Sequence, residues 1–142
     1  MTIDATYLRS RIQRLETVLR EIGTLNGKEE DALYTMYRDA CVEEFEGVME
    51  QSGKLLRKRL ADWFASNRQA DRLTFKDLFR HAARHDLLDI EAVERWLVYR
   101  DNRQDEANNS GDGFSENTLS LLPNFLEDAT ALANVVEVVD DA

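Results

Sequence analysis

A chain of 142 residues that is 43% apolar and 32% charged is sized for one domain with a real core. Its net charge of −10 excludes general capture of nucleic acid, which needs Lys and Arg against phosphates, so any RNA contact must use a local basic patch. One cysteine, Cys41, excludes an intrachain disulfide, and six glycines with a single proline are too few for a many-turned sandwich or barrel.

The N-terminal "MTIDATYLRSRIQ" has no apolar run of the kind a signal peptide needs, and no stretch is apolar for long enough to span a membrane. With the lone cysteine, this fits a reducing, cytoplasmic setting. Cys41, His81 and His85 are too few soft ligands for a zinc site.

The elements follow from apolar spacing. Leu8, Ile12, Leu15, Val18, Leu19 and Ile22 recur every three or four residues and predict a first helix. "NGKEE" at 26–30 breaks it. A long second helix is expected from about residue 29 to about residue 66, carrying Leu33, Tyr37, Cys41, Phe45, Val48, Leu55, Leu56, Leu60, Trp63 and Phe64. Ser52-Gly53 lies in its middle, so either the helix bends there or a neighbour packs closely against it. "SNRQADR" at 66–72 reads as a polar loop.

Three N-terminal capping patterns come next. Thr74 with Asp77, and Leu73 with Leu78, open a short third helix. Asp89, with Leu88 and Val93, opens a fourth that gives way to turn-rich "NNSGDG" after Arg103. Ser115, with Phe114 and Leu119, opens a fifth, in which Pro123 predicts a kink. These elements make an all-α, antiparallel up-and-down bundle of four or five helices. Residues 1–137 form one domain in this reading, and 138–142 are a frayed acidic tail.

The fourth helix places Trp96, Arg100 and Arg103 on one face, at spacings of four and three. Two guanidiniums beside an aromatic fit a phosphate or carboxylate site. The competing reading pairs both arginines with Asp101, Asp105 or neighbouring helices on a solvated face. "RHAARH" at 80–85 also fits an Arg-x4-His pattern. Positions five apart on a helix point about 140° away from each other, however, so His81 and His85 read as surface or boundary residues.

The segments "YRDACVEEFEGVMEQSGKLLRKRL", "TFKDLFRHAARHDLLD", "WLVYRDNR" and "FSENTLSLLPNFLEDATAL", in this order, resemble the HEPN proteins encoded beside minimal nucleotidyltransferases. That family is also described as nucleotidyltransferase substrate-binding proteins or HepT-like toxins, and the resemblance covers about residues 8–135. It implies a HEPN-like bundle that works as a homodimer, and a metal-independent endoribonuclease with no cofactor. In the family an arginine at the end of the fourth helix holds the scissile phosphate, and a histidine five residues later assists proton transfer. A tyrosine two residues beyond that accepts AMP from the partner nucleotidyltransferase, which serves as antitoxin.

Position by position, Arg103 matches the arginine, while Gln104 stands where Asn is usual. Asn108 takes the place of the histidine and Ser110 that of the tyrosine. Asparagine hydrogen-bonds but does not exchange protons near neutrality as histidine does, and loss of one general acid–base group costs about 10²–10⁴ in rate. Two readings follow. One is a binding or regulatory partner of a nucleotidyltransferase with a decayed ribonuclease centre of Arg103 and Asn108, lined by Arg100 and Gln104. Ser110 is then a possible modification site, and RNA is a partner only if activity persists. The other is an active ribonuclease toxin with a variant site around Arg103.

Overall fold

A computed structural model of the chain describes residues 2–25, 32–108 and 112–139, with the backbone alone at 104–108 and 112–115. Six helices follow in order: α1 (Thr6–Gly23), α2 (Ala32–Leu60), α3 (Asn67–Asp71), α4 (Phe75–Arg84), α5 (Ile90–Asn108) and α6 (Asp112–Val136), with a 3₁₀ turn at Ala61–Trp63 after α2. The all-helical bundle matches the expectation from apolar spacing. Among the described residues no helix is long and apolar enough to cross a membrane.

The first helix forms as its stripe predicts, burying Leu8, Ile12, Leu15 and Ile22. The second ends at Leu60 rather than near 66, because the chain tightens into the 3₁₀ turn and Phe64 becomes extended (φ −118°, ψ 158°). Its Ser52-Gly53 pair is buried, and the Phe75 ring of α4 packs over Gly53, 3.9 Å from where a Cβ would sit. That is an ordinary van der Waals contact, so a neighbour does pack on this pair but leaves room for a Cβ.

The expected loop at 66–72 contains α3 instead. Ser66 Oγ accepts from the Gln69 N–H at 3.2 Å, and Gln69 Oε1 accepts in return from the Ala65 N–H at 3.0 Å. This is close to a capping box, and "SNRQ" carries its sequence signature. The two guessed caps that follow are real: Thr74 Oγ1 accepts from Asp77 N–H at 3.1 Å, and Asp89 Oδ1 from Ala92 N–H at 2.7 Å. The third is corrected. α6 starts at Asp112, so Ser115 lies inside its first turn, and the helix continues on both sides of Pro123. α5 likewise continues through Asn108 instead of giving way after Arg103.

α1 packs on α2 and α6, α2 on α4 and α6, and α5 on α4 and α6. Contacts fix the directions. Arg95 meets Asp128 while Asn102 meets Thr118, so α5 and α6 are antiparallel. Tyr34 meets Glu116 while Phe45 meets Phe125, so α2 and α6 run parallel. The core is closed by an aromatic cluster from four helices. Phe125 has its ring centroid 4.7 Å from Phe45, 5.0 Å from Tyr99 and 5.5 Å from Trp96, and Trp96 stacks on Phe79 at 5.1 Å. All five rings are buried. Truncating one such ring to alanine costs about 3–5 kcal/mol. Val138, placed in the frayed tail by sequence, is tied to Ile3 by two backbone hydrogen bonds of 2.9 and 3.1 Å.

Candidate functional site

The second half of α5 carries the sequence-predicted residues, and three polar contacts fix its position. The exposed Arg95 forms a two-pronged pair with Asp128, Nε at 2.8 Å and Nη2 at 2.9 Å. One turn on, the Tyr99 hydroxyl donates to the same carboxylate. Tyr99 is 2% exposed and Asp128 7%. Burial first, then the hydrogen bond to Asp128 and the Asp128 charge, raise the Tyr99 phenol well above its ordinary range, so it stays a neutral hydrogen-bond donor. Arg95's own hydrogen bonds to Asp128 raise its guanidinium further above the ordinary value.

Nearer the end of the helix, the buried Asn102 amide donates from Nδ2 to Thr118 Oγ1 at 2.7 Å and accepts at Oδ1 from Asn117 Nδ2 at 2.6 Å. Beside them Tyr34, near the start of α2, donates its hydroxyl to Glu116 at 2.7 Å. These bonds draw the outgoing turn of α5, the incoming turn of α6 and the start of α2 to one end of the bundle. A buried polar cluster of this kind fixes register, because breaking any one bond leaves a desolvated partner.

Arg103 follows the clamp directly. At spacings of four from Tyr99 and seven from Trp96 it extends the inner stripe of α5 to the end of the bundle, where it is half-exposed. It makes no hydrogen bond or ion pair with any described residue. Arg is the side chain that binds phosphate or carboxylate through paired N–H groups.

The rest of the predicted face is revised. Trp96 is fully buried and belongs to the core, not to an anion site. Arg100 is half-buried and leans on Asp101 at 3.4 Å, as the solvated-face reading expected, with its Nε buried and without a hydrogen-bond partner. Gln104, Asn108 and Ser110 fall outside the residues whose side chains are described. Both histidines lie elsewhere, His81 on α4 and His85 just after it, near the other end of α2. There His85 stacks on Trp63 at 4.3 Å, and His81 meets Phe64 edge-on at 5.0 Å. Neither supplies an imidazole to Arg103.

Sequence reasoning missed the Arg95–Tyr99–Asp128 network and the Asn102 clamp, whose partners lie 29 and 16 residues apart. It also missed Arg38, 8% exposed one turn beyond Tyr34, with Asp39 at 3.5 Å. A charged residue on the apolar stripe of α2 was the available signal.

The sequence profile of the family described as "Nucleotidyltransferase substrate binding protein like" matches residues 6–137. Among curated proteins, none shows significant sequence similarity to the chain. The fold is similar to that of HI0074 from Haemophilus influenzae, whose structure is described as revealing the fold of a substrate-binding domain of a nucleotidyltransferase. The two superpose with a TM-score of 0.80 at 20% identity, over 94% of this chain and 98% of that one. With a family match spanning α1 to the end of α6, the chain belongs to the nucleotidyltransferase substrate-binding-protein-like family.

Proposed function

We propose that this protein is the helical partner subunit of a minimal nucleotidyltransferase, and that it acts by binding while its own ribonuclease centre has decayed. The observation that carries the reading is the contrast at the end of α5. The family match runs over residues 6–137, and Arg103 stays in place behind the Asn102 clamp. The position five residues later holds Asn108 instead of a histidine. The anion-holding half of a phosphate-cleaving site is kept, and the proton-transferring half is replaced by an amide that hydrogen-bonds only.

In this proposal the pair descends from a toxin–antitoxin arrangement in the cytoplasm. The chain forms a homodimer through the face that carries α5, and the nucleotidyltransferase docks over Arg100, Arg103 and Gln104. Ser110, where the family's nucleotide acceptor stands, keeps a hydroxyl for modification. The test is a calorimetric titration of the full chain with the nucleotidyltransferase encoded beside it. A saturable complex that Arg103→Ala weakens is the expected result. No heat of binding, together with a monomeric mass in solution, would overturn the reading.

The second reading, an active ribonuclease, draws on one observation: Arg103 is retained and faces no described carboxylate. It requires cleavage of RNA that disappears in Arg103→Ala.

A further inference from the structure

The cations of this acidic chain are not spread evenly. Residues 54–85 hold nine Lys or Arg against three Asp, half of the chain's basic side chains and a local excess of six positive charges. Elsewhere most of the described bases find acids, Arg14 and Arg103 excepted. Arg9, Arg11, Arg20, Arg38, Arg95 and Arg100 each pair with a carboxylate at 2.8–3.5 Å. Among the described residues none of the nine in 54–85 does so. Arg57 is used structurally, donating to the carbonyls of Ala70 and Leu73 at 2.9 and 2.8 Å. Seven of the others are exposed, and Arg59 is half-buried.

These charges surround an open aromatic stack. Trp63, just past the end of α2, is 43% exposed. The His85 ring lies against it nearly parallel, at 4.3 Å and 16°, and the Arg59 guanidinium carbon is 5.1 Å from its centroid. Lys76, Arg80 and Arg84 follow on α4 at spacings of four, a stripe of cations rising about 6 Å per step, beside the His81 and His85 positions. The stack lies at the opposite end of α2 from the Tyr34–Glu116 contact, so it is roughly 40 Å along the helix from the Arg103 end.

We propose that this end of the bundle binds single-stranded nucleic acid at a site separate from Arg103. A nucleobase continues the Trp63–His85 stack beside Arg59, and the phosphates run along Lys76, Arg80 and Arg84. Aromatic platforms flanked by cations bind single strands without regard to sequence, because every base has a π-face. A duplex hides those faces. An acidic protein surface would satisfy the charges but makes no use of an open, parallel pair of rings. The excess of six charges is local, so the complex forms at low salt and dissociates as salt rises.

The experiment titrates the full chain into a fluorescein-labelled oligouridylate at low salt, following anisotropy and tryptophan emission. Trp96 is fully buried, so quenching reports on Trp63. The expected result is saturable binding with quenching, weakened about tenfold or more by Trp63→Ala and largely retained in Trp63→Phe. The double variant Arg80→Gln, Arg84→Gln makes the log–log salt dependence shallower by about 1.4. Arg20→Gln, an exposed base on α1, leaves binding unchanged. Binding that ignores Trp63→Ala, or polyglutamate binding as tightly with the same dependence on Trp63, would overturn the proposal; the latter would assign the surface to an acidic protein.

Discussion

Replacing Asp128 by alanine removes the single acceptor shared by Arg95 and Tyr99, and the two losses differ in size. The Arg95 side chain is 46% exposed, so it rehydrates and its contribution falls in the range of a surface ion pair, about 0–1 kcal/mol. Tyr99 is 2% exposed, and its stranded hydroxyl costs about 1–3 kcal/mol. Together these give about 1–4 kcal/mol. At about 4 °C per kcal/mol for a domain of this size, the melting temperature falls by about 4–16 °C. Tyr99→Phe removes the hydroxyl and leaves the Arg95 pair intact, so it costs less, about 1–2 kcal/mol. In the double variant no hydroxyl is stranded, and the loss is smaller than the sum of the singles by about 1 kcal/mol. Urea unfolding followed by circular dichroism, on the four proteins of this cycle, reads all three quantities. An Asp128→Ala variant within 0.5 kcal/mol of the parent, or singles that add fully, would refute the reasoning.

Four further outcomes follow from the same structure. Tyr99 ionises near pH 10 in the unfolded chain and higher in the folded one. Its contribution is therefore whole below pH 10 and is lost as pH rises toward the folded value; denaturation at pH 9 and 11 shows a drop that Tyr99→Phe reduces. Gly53→Ala meets only ordinary contact with Phe75 and stabilises α2 by up to about 1 kcal/mol, read as a higher urea midpoint; a lower one refutes the packing described. Asp86 closes α4 at φ 59°, with Leu87 N–H bonded to Ala82 O at 2.9 Å. Glycine is the usual residue in that turn, so Asp86→Gly raises stability by about 0.5–1 kcal/mol, measured by thermal melting. Cys41 is fully buried and its thiol is pushed up to about 11 by desolvation, so a disulfide reagent at pH 8 labels it only as fast as the protein opens; immediate labelling would contradict its placement.

The fold was legible where local chemistry decides it. Apolar spacing located α1, α4 and α5, and Thr74 and Asp89 cap where their side chains predict. The same logic was available for α3 in "SNRQ", where Ser66 accepts from the Gln69 N–H and the Gln69 side chain from the Ala65 N–H, but the segment is polar and short enough to read as a loop. Ser115 misled because several polar residues precede α6, and a cap pattern alone does not choose among them.

At the site, the match at Arg103 came from a family pattern, whereas the reason the residue sits where it does came only from the fold. Tyr99 to Asp128 and Asn102 to Thr118 are pairings across two antiparallel helices, and no period within one helix announces them. Trp96 was misplaced for a related reason. A residue four before Arg100 shares its side of the helix, but which side faces the core depends on α4 and α6. The basic segment at 54–85 was visible as composition, yet its lack of neutralising carboxylates became evident only once the ion pairs of the other arginines were known.

The central claim is that this chain keeps an anion-holding Arg103 on a binding scaffold and lacks the proton-transferring partner. RNA cleavage in EDTA by the full chain, beside Arg103→Ala and the double reversion Asn108→His, Ser110→Tyr, tests it most directly. The account predicts cutting by the reversion alone. Cleavage by the natural protein that disappears in Arg103→Ala would contradict it and place a second proton-transfer group beside Arg103.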